Sequence, residues 1–240
     1  MIEIENVTIH GFEEAIRGMR NPMNSWNKMD SGIGCTMDGI VGDCLNDDYI
    51  NCDDCHCIKI GSNDHGLMMK LATNGPVHAK YRRMITVYMD ITAPLYWWKE
   101  FDTYKVGTVT NSCSTMHKIH EKEFTMEDFS HEHLKNFYGF KSQGAYGYEI
   151  GLFENTMRGI VDSLNSARKL YLQTGDKQYW WQMIQLLPSS YNQRRTVMMN
   201  YEVLAGIYPM RKDHKLDEWR EFCRMVERLP YSEVITLDET

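Results

Sequence analysis

The stretch Leu186–Trp219, LLPSSYNQRRTVMMNYEVLAGIYPMRKDHKLDEW, decides the fold of this chain. Pro188 should end the helix that precedes it, because proline disfavours a helical conformation at the residue before it. Tyr191–Val197 is then expected to be extended, and the apolar residues that follow are spaced as in helices at about Asn200–Tyr208 and Leu216–Leu229. The local structure expected here is a strand enclosed between helices.

The clearest helix of the chain lies on the N-terminal side of this stretch. Apolar side chains recur every three or four residues between Ile150 and Tyr171, which predicts a long amphipathic helix. Gly175 is placed to end this helix, and Asp176 to cap a following helix that runs up to Pro188.

A strand and two further helices are predicted on the N-terminal side of the long amphipathic helix. Thr125 and Asp128 resemble a capping box, which predicts a helix from there to near Gly139. The β-branched, apolar run Met84–Ile91 predicts a buried strand, and Pro94 stands where a helix begins.

The N-terminal part shows the same mixture of elements. Ile2–Ile9 alternates as a strand does, and a short helix is expected at about residues 13–19. Asn63 or Asp64 is expected to cap a further helix, which stops at Asn74-Gly75-Pro76.

Two stretches lack a sustained period and are predicted to be loops, namely residues 20–62 and the Ser/Thr-rich residues 104–117. Cysteines crowd the first of them: Cys35, Cys44, Cys52, Cys55 and Cys57. Cys52 and Cys55 have the spacing of half a zinc knuckle, and Cys35 and Cys44 could complete a tetrahedral set. A structural zinc would order a long loop, because metal binding contributes directly to folding. The alternative is a surface insertion whose thiols bind nothing.

The charge balance excludes some classes of partner. With 26 basic and 33 acidic residues the formal charge is −7, which argues against nucleic-acid and membrane-surface binding. A small anionic ligand needs only a few local cations and stays compatible. No stretch approaches the roughly 20 apolar residues that span a bilayer. The first residues are acidic, unlike the basic start of a secretory signal, so a cytoplasmic location is expected.

Three segments, taken in order, resemble the flavin-dependent thymidylate synthases. Residues 63–83 (NDHGLMMKLATNGPVHAKYRR) are similar to that family's helix and following Gly/His turn. Residues 84–94 (MITVYMDITAP) stand where the family has a strand and the start of its signature helix, and Leu186–Trp219 follows its Leu-Pro, aromatic, Thr-Val, Arg, His, Glu progression. Their order and spacing carry the resemblance.

The resemblance implies a helix-rich α+β fold in one domain of residues 1–240, with a small, mainly antiparallel sheet and residues 20–62 as an insertion. It also implies a homotetramer and the methylation of dUMP to dTMP. In that reaction reduced FAD supplies hydride, methylene-tetrahydrofolate supplies the carbon and NADPH reduces the flavin. A cofactor carries the difficult step in such enzymes, and the protein orients and polarises.

Site residues follow from the matched positions. The family signature is Arg-His-Arg, then a Ser, then a second Ser followed closely by Arg-Tyr. Lys105 falls on the last Arg and Thr108 on the first Ser, and Ser114 falls on the second Ser when one residue is inserted. With Ser112, these residues are candidates to bind the substrate phosphate. Alternatively the stretch is an ordinary loop with bonds from side chains to backbone.

Four further residues of Leu186–Trp219 are candidates. Arg194 and Arg195 are neighbours in an extended segment, so they should point to opposite faces, and one is expected to reach a substrate pocket. Arg211 and His214 match the family's late Arg/His pair, one residue closer together, and are the predicted catalytic residues; the alternative for Arg211 is a helix C-terminal charge.

The cofactor-binding candidates are His78, Arg82 and Arg83, which occupy the turn that contacts flavin in the family, together with Asn200. The arginines could instead mark a solvated strand end.

Three functions stay open on the sequence alone. The first is a thymidylate synthase or related uridylate methyltransferase, and the second is a nucleotide- or flavin-binding relative that has lost the reaction. The altered Arg-His-Arg stretch favours the second, and the late Arg/His/Glu region favours the first. A zinc-stabilised interaction protein is the third.

Overall fold

The computed structural model describes residues 2–33, 58–138 and 150–237. Eight strands lie in these ranges: β1 Glu3–His10, β2 Gly32–Ile33, β3 Ile58–Lys59, β4 Thr86–Pro94, β5 Val109–Ser112, β6 Asn136–Tyr138, β7 Ile150–Leu152 and β8 Asn192–Asn200. Eight α-helices accompany them: α1 Phe12–Arg20, α2 Ser62–Thr73, α3 Leu95–Phe101, α4 Phe153–Thr174, α5 Lys177–Leu186, α6 Tyr201–Arg211, α7 Asp217–Glu227 and α8 Glu233–Thr236.

The strands form one larger sheet and two short pairs. The four-stranded sheet has the order β1-β4-β8-β5, and β2–β3 and β6–β7 are two-stranded antiparallel pairs. The predicted fold class, a helix-rich α+β structure with a small antiparallel sheet, is confirmed. No helix within the described ranges is long and apolar enough to cross a membrane.

The chain divides into two compact units. The first consists of Met1–Glu3, Ile91–Thr103 and Asn111–Arg195, and the second of Ile4–Asp90, Tyr104–Thr110 and Thr196–Thr240. The single domain expected from the sequence stays a prediction.

The first unit is built on the predicted amphipathic helix α4. Its apolar side packs in a buried cluster: Ile119, Phe124, Phe129, Met157, Val161, Leu164, Ala167 and Met183. The helix ends, as predicted, at Gly175, whose φ of 70° lies in the left-handed region that favours glycine. The Asp176 side chain accepts a hydrogen bond from the Gln178 amide and caps α5, also as predicted.

The helix predicted after Thr125 is wrong beyond its first turn. The capping box of Thr125 and Asp128 is present, but it opens only the 3₁₀ turn Met126–Asp128. Phe129 then becomes extended and forms an isolated antiparallel bridge with Tyr191. Ser130 donates its backbone N–H to the Ser190 carbonyl at 2.8 Å, so distant backbone partners replace the helical ones.

The second unit surrounds α6. This helix packs against α7, α8 and the 3₁₀ turn Lys80–Arg83. Its own Tyr201 is fully buried, as are Trp219 and Phe222 of α7. Gly11 precedes α1 at a φ of 95°, and a Cβ added there would lie 2.1 Å from the Met84 carbonyl oxygen. This close approach requires glycine.

The cap predicted for α2 is wrong, because it comes from a distant residue. Gly61 is the N-cap, and the Asp30 carboxylate accepts the N–H groups of Asn63 at 2.8 Å and Asp64 at 3.0 Å. Asp64 is fully buried, and its carboxylate in turn accepts the N–H of Asp30, at 2.9 Å.

The Asp64 carboxylate is the centre of what we call the Arg20–Asp64 joint. It also accepts Arg20 Nε at 2.6 Å, Ser31 N at 2.9 Å and Ser31 Oγ at 2.7 Å. Burial raises the pKa of Asp64, but the hydrogen bonds from Ser31, Asp30 and Arg20 more than offset this effect, so the pKa lies below its ordinary value. The joint fixes residues 20, 30, 31 and 64 to one another.

The predicted loop 104–117 contains a strand. Residues Val109–Ser112 form β5, at an edge of the four-stranded sheet, and all four side chains are exposed. A strand of this length without a buried face shows no apolar alternation, so the sequence pattern could not reveal it.

Candidate functional site

The predicted site residues fall in both units, and each group is described by itself. In the first unit they gather around Arg195. Its guanidinium lies over the ring of the buried Trp98, 4.1 Å from the centroid, while Nε donates to Gln193 Oε1 at 3.0 Å and Nη1 to Asp102 Oδ1 at 2.7 Å. We call these four residues the Arg195 cluster. A cation held by a ring face, an amide and a carboxylate has a fixed orientation.

The Arg195 cluster extends to the backbone of Cys113. Gln193 Nε2 donates to the Cys113 carbonyl at 2.7 Å, and the Cys113 N–H donates to the Arg194 carbonyl at 2.9 Å. Both backbone groups of Cys113 are thus engaged by β8. This anchoring fixes the backbone between Ser112, at the end of β5, and Ser114.

Ser114 stabilises its own turn. Its Oγ accepts the N–H groups of Met116 at 3.2 Å and His117 at 2.9 Å. This is the side-chain-to-backbone arrangement that the sequence offered as the ordinary-loop alternative. The hydroxyl hydrogen is not used in these two bonds, so Ser114 keeps the capacity to donate to an anion.

The two adjacent arginines lie on opposite sides of β8, as expected. Arg194 is exposed, whereas the side chain of Arg195 is only 13% exposed. Ser112 and Cys113 are exposed as well. Cys223 in α7 is buried, and burial raises its pKa to about 12, so that thiol stays protonated at neutral pH.

In the second unit, Arg211 is the last residue of α6 and is held by two aromatic side chains. Its Nε donates to the Tyr104 hydroxyl at 2.8 Å. Its guanidinium carbon lies 4.5 Å from the centroid of the fully buried Trp219 and 5.6 Å from that of Tyr104. We call Arg211, Tyr104 and Trp219 the Arg211 cluster.

His214 follows α6 and is half-buried. Its Nδ1 accepts the Leu216 N–H at 3.2 Å, so in the neutral ring the proton resides on Nε2. Its backbone N–H donates to the Arg211 carbonyl at 3.0 Å, and its own carbonyl accepts Arg220 Nη1 at 2.7 Å. The imidazole therefore has a defined tautomer.

Residues 105–108 pass along the N-terminal end of α6. A Cβ on Gly107, whose φ is 79°, would lie 3.0 Å from Val203 Cγ2 and 3.2 Å from Asn200 Nδ2. Asn200 caps α6 by accepting the Val203 N–H at 3.0 Å. Lys105 is exposed, and Thr108 Oγ1 is a buried oxygen with no hydrogen-bond partner in the described part of the chain.

The turn proposed to contact a cofactor contains one buried arginine. Arg82 is 4% exposed, donates Nη1 to the Val234 carbonyl at 3.0 Å, and has its Nε 2.9 Å from Glu202 Oε2. That N–H does not point at the carboxylate, so the second contact is ionic without being a hydrogen bond. His78 and Arg83 of the same turn are exposed.

The structure thus connects β8, which carries Arg195, to the segment Ser112–Ser114 in one unit, and it places Arg211, His214 and residues 105–108 near α6 in the other. Sequence reasoning missed the side chains that hold the two arginines: Trp98, Asp102, Tyr104, Gln193 and Trp219. Tyr104 and Arg211 are 107 positions apart, and no local pattern connects them. The roles predicted for all of these residues stay predictions.

The predicted zinc ligands Cys35, Cys44, Cys52 and Cys55 lie outside the described residues. Among the residues that the structure does describe, no group of three or more His, Cys, Asp or Glu side chains is arranged to hold a metal ion.

Comparison with solved structures identifies the fold. The chain is similar to thymidylate synthase X from Helicobacter pylori, solved with FAD and dUMP, with a TM-score of 0.61 and 15% identity over 98% of this chain and 96% of that one. It is also similar to the UMP/dUMP methylase PolB from Streptomyces cacaoi, solved with 5-Br UMP, with a TM-score of 0.59 and 12% identity over 99% and 95%. No protein-family model and no curated protein sequence matches the chain. The resemblance stated from the sequence is therefore confirmed at the level of the fold.

Proposed function

We propose that this chain is a flavin-dependent methyltransferase that acts on a uridylate. The narrower proposal is the conversion of dUMP to dTMP with methylene-tetrahydrofolate as carbon donor and FAD reduced by NADPH. One observation carries it: the fold matches, over nearly its whole length, proteins solved with dUMP, FAD or 5-Br UMP. A fold by itself does not fix a function, so the residues have to support the chemistry.

The residues fit a cofactor that carries phosphates. His78 and Arg83 are exposed on one turn of the second unit. Thr108, a candidate for the substrate phosphate, has a buried hydroxyl that lacks a partner among the described residues. A buried hydroxyl without a hydrogen bond is costly, and a bound polar ligand would supply the missing partner. When bound, the reduced flavin would supply hydride. Arg82 would support this turn from within rather than touch the cofactor.

Each unit, taken by itself, holds candidates for the substrate phosphate, and these candidates offer charge and hydroxyl donors. In the first unit they are Arg194, Arg195, Ser112 and Ser114, with Arg195 already oriented by its cluster. In the second unit they are Lys105 and Thr108. Phosphate recognition favours charge-assisted hydrogen bonds, and arginine offers the two-pronged geometry that lysine lacks.

Arg211 and His214 are assigned to the pyrimidine. Arg211 is cationic, and its Nε donates a hydrogen bond to the Tyr104 hydroxyl. His214 presents Nε2–H as a donor in its neutral form. A cation and an N–H donor can stabilise negative charge that develops on a pyrimidine oxygen during attack on the ring.

A second candidate is a flavin- or nucleotide-binding relative that no longer performs the reaction. The observation in its favour is that the signature arginines are replaced, with Lys105 at one of them, and that Arg82 is engaged inside the protein. Both candidates predict ligand binding, and only the first predicts turnover. A homotetramer belongs to the proposal on the same resemblance.

The test begins with the visible absorbance of the purified protein, followed by titration of FAD with and without dUMP. We expect oxidised-flavin bands that shift on addition of dUMP, which would place both ligands in one site. Turnover is then measured as dTMP formed from dUMP with NADPH and methylene-tetrahydrofolate. Flavin uptake without dTMP would support the second candidate, and no flavin uptake at high FAD would overturn both. Arg211→Ala should abolish turnover. Arg224→Ala, which removes an exposed arginine paired with Glu221 on α7, is the matched control.

A further inference from the structure

Tyr104 holds Arg211 by a contact that nothing in the sequence suggested. We infer that Tyr104 is a positioning residue for Arg211, through which it sets the affinity for the uridylate; this inference rests on the proposed function. The observation that carries it is the 2.8 Å hydrogen bond from Arg211 Nε to the Tyr104 hydroxyl.

The geometry around this bond fixes the plane of the guanidinium. Trp219 is fully buried, and its ring lies beneath Arg211 at 4.5 Å. The Tyr104 ring meets the Trp219 ring edge-on at 6.0 Å, so the phenol is itself located by the buried indole. A ring face restricts a guanidinium to its own plane, and a hydrogen bond at Nε then fixes its rotation within that plane.

The partner's chemistry matters as much as its position. A carboxylate at Nε would fix the guanidinium equally well, but it would add a negative charge next to any anionic substrate. A phenol accepts the same hydrogen bond without this charge.

Tyr104 also connects two groups of candidate residues. It directly precedes Lys105 and lies four positions before Thr108, while Arg211 stands at the opposite end of α6 from Asn200. Gly107 packs against Val203 and Asn200 at the start of that helix. The segment that carries Lys105 and Thr108 is therefore attached at both ends of α6, and the Tyr104 hydroxyl makes the attachment at Arg211.

The test replaces Tyr104 by phenylalanine, which removes the hydroxyl and keeps the ring. With FAD-loaded protein, we expect the dissociation constant for dUMP to rise about tenfold, in line with the loss of one hydrogen bond to a charged group. The dissociation constant for FAD, measured by flavin fluorescence, should stay within twofold. Tyr208→Phe is the matched control. Tyr208 lies on α6, as Arg211 does, and the substitution removes a hydroxyl that donates to Glu227 of α7 at 2.8 Å. It should leave dUMP binding unchanged.

A double-mutant cycle separates positioning from a merely structural role. If Tyr104 acts through Arg211, Tyr104→Phe should have no further effect on dUMP binding in an Arg211→Ala background. Additive losses would overturn the inference, because they would mean that Tyr104 acts on the ligand independently. Unchanged dUMP affinity of Tyr104→Phe would also overturn it, whatever happens to the melting temperature.

Failure of the inference is distinguishable from failure of the proposed function. If the wild-type protein binds FAD and dUMP but Tyr104→Phe binds dUMP equally well, only the positioning role is wrong. If the wild-type protein binds neither ligand, the proposed function is wrong and the inference falls with it.

Discussion

Arg20 and Arg211, both in the second unit, are fixed in opposite ways. Arg20 is 4% exposed, and its Nε is bound to a fully buried carboxylate that accepts three more hydrogen bonds. Arg211 is half-buried, lies on an indole face, and donates its Nε to a neutral phenol. In the first arrangement a buried carboxylate holds the cation and joins distant segments, whereas in the second an indole face and a phenol hydroxyl orient the guanidinium. The difference predicts stability at one arginine and ligand binding at the other.

Arg195 in the first unit stands between these two cases. It lies on an indole face, as Arg211 does, and it is paired with a carboxylate, as Arg20 is. That carboxylate, Asp102, is 48% exposed, so water and salt screen the pair. An anionic ligand can therefore compete with Asp102 for Arg195, which it cannot do with the buried Asp64 for Arg20.

The largest effect is expected at the Arg20–Asp64 joint. Asp64→Ala leaves the Arg20 guanidinium buried and unpaired and removes the acceptor from the Asp30 and Ser31 backbones, so we expect a loss of about 3–5 kcal/mol in the free energy of unfolding. Urea denaturation followed by circular dichroism measures it. Glu221→Ala, which breaks an exposed pair with Arg224, is the control and should cost less than about 1 kcal/mol. Equal losses in the two variants would contradict the distinction between joint and surface pair.

A smaller effect is expected when the same joint is titrated with acid. The folded-state pKa of Asp64 lies below its ordinary value of 3.8, so its contribution to stability is present above that pH. This contribution is lost as the pH falls below 3.8 and passes through the pKa of Asp64 in the folded state. The difference in unfolding free energy between wild type and Asp64→Ala should therefore be constant from pH 7 to 5 and shrink towards pH 3. A difference that grew in acid would mean that the pKa of Asp64 is raised rather than lowered.

The smallest effect is expected at the pair between Arg195 and Asp102. Asp102→Asn should reduce the free energy of unfolding by no more than about 1 kcal/mol, and 1 M salt should remove most of this difference. The Asp64→Ala difference should persist in the same salt, because that pair is buried. Glu121→Gln, at an exposed pair with Lys118, gives the baseline for a surface pair. If the Asp102→Asn effect resisted salt, the Arg195–Asp102 pair would behave as a buried pair, like Arg20–Asp64, and not as a surface pair.

Most helices and strands could be predicted because their signals are local. The spacing in α4, Gly175 at its end and the Asp176 cap all lie within a few residues of the structure that they determine. The helix expected after Asp128 was wrong because the next residues take backbone partners at Ser190 and Tyr191, far along the chain. The residues near Asp128 give no information about these distant backbone partners.

The candidate site also has a part that could be predicted from the sequence and a part that could not. Arg194, Arg195, Arg211 and His214 could be selected from one contiguous stretch, and the opposite orientation of the first two follows from strand geometry. What holds them could not be predicted, because Asp102 is 93 positions from Arg195. The α2 cap supplied by Asp30 shows the same limit, since an acidic residue at the helix start was the local choice and a distant carboxylate took its place.

The register of β2 and β3 determines where this chain can accept an insertion or a deletion. Gly32 lies opposite Lys59 and Ile33 opposite Ile58, so residues 34–57 leave and re-enter the described structure at adjacent backbone positions. Opposed residues of an antiparallel pair have Cα atoms about 5 Å apart, a gap that a two-residue turn such as Asn-Gly closes. Residues 34–57 contain five of the seven cysteines, so an insertion or deletion of this stretch would add or remove all five together. Because the entropy of closing a connection grows slowly with its length, the connection between Ile33 and Ile58 can differ in length at little cost to the Arg20–Asp64 joint beside it.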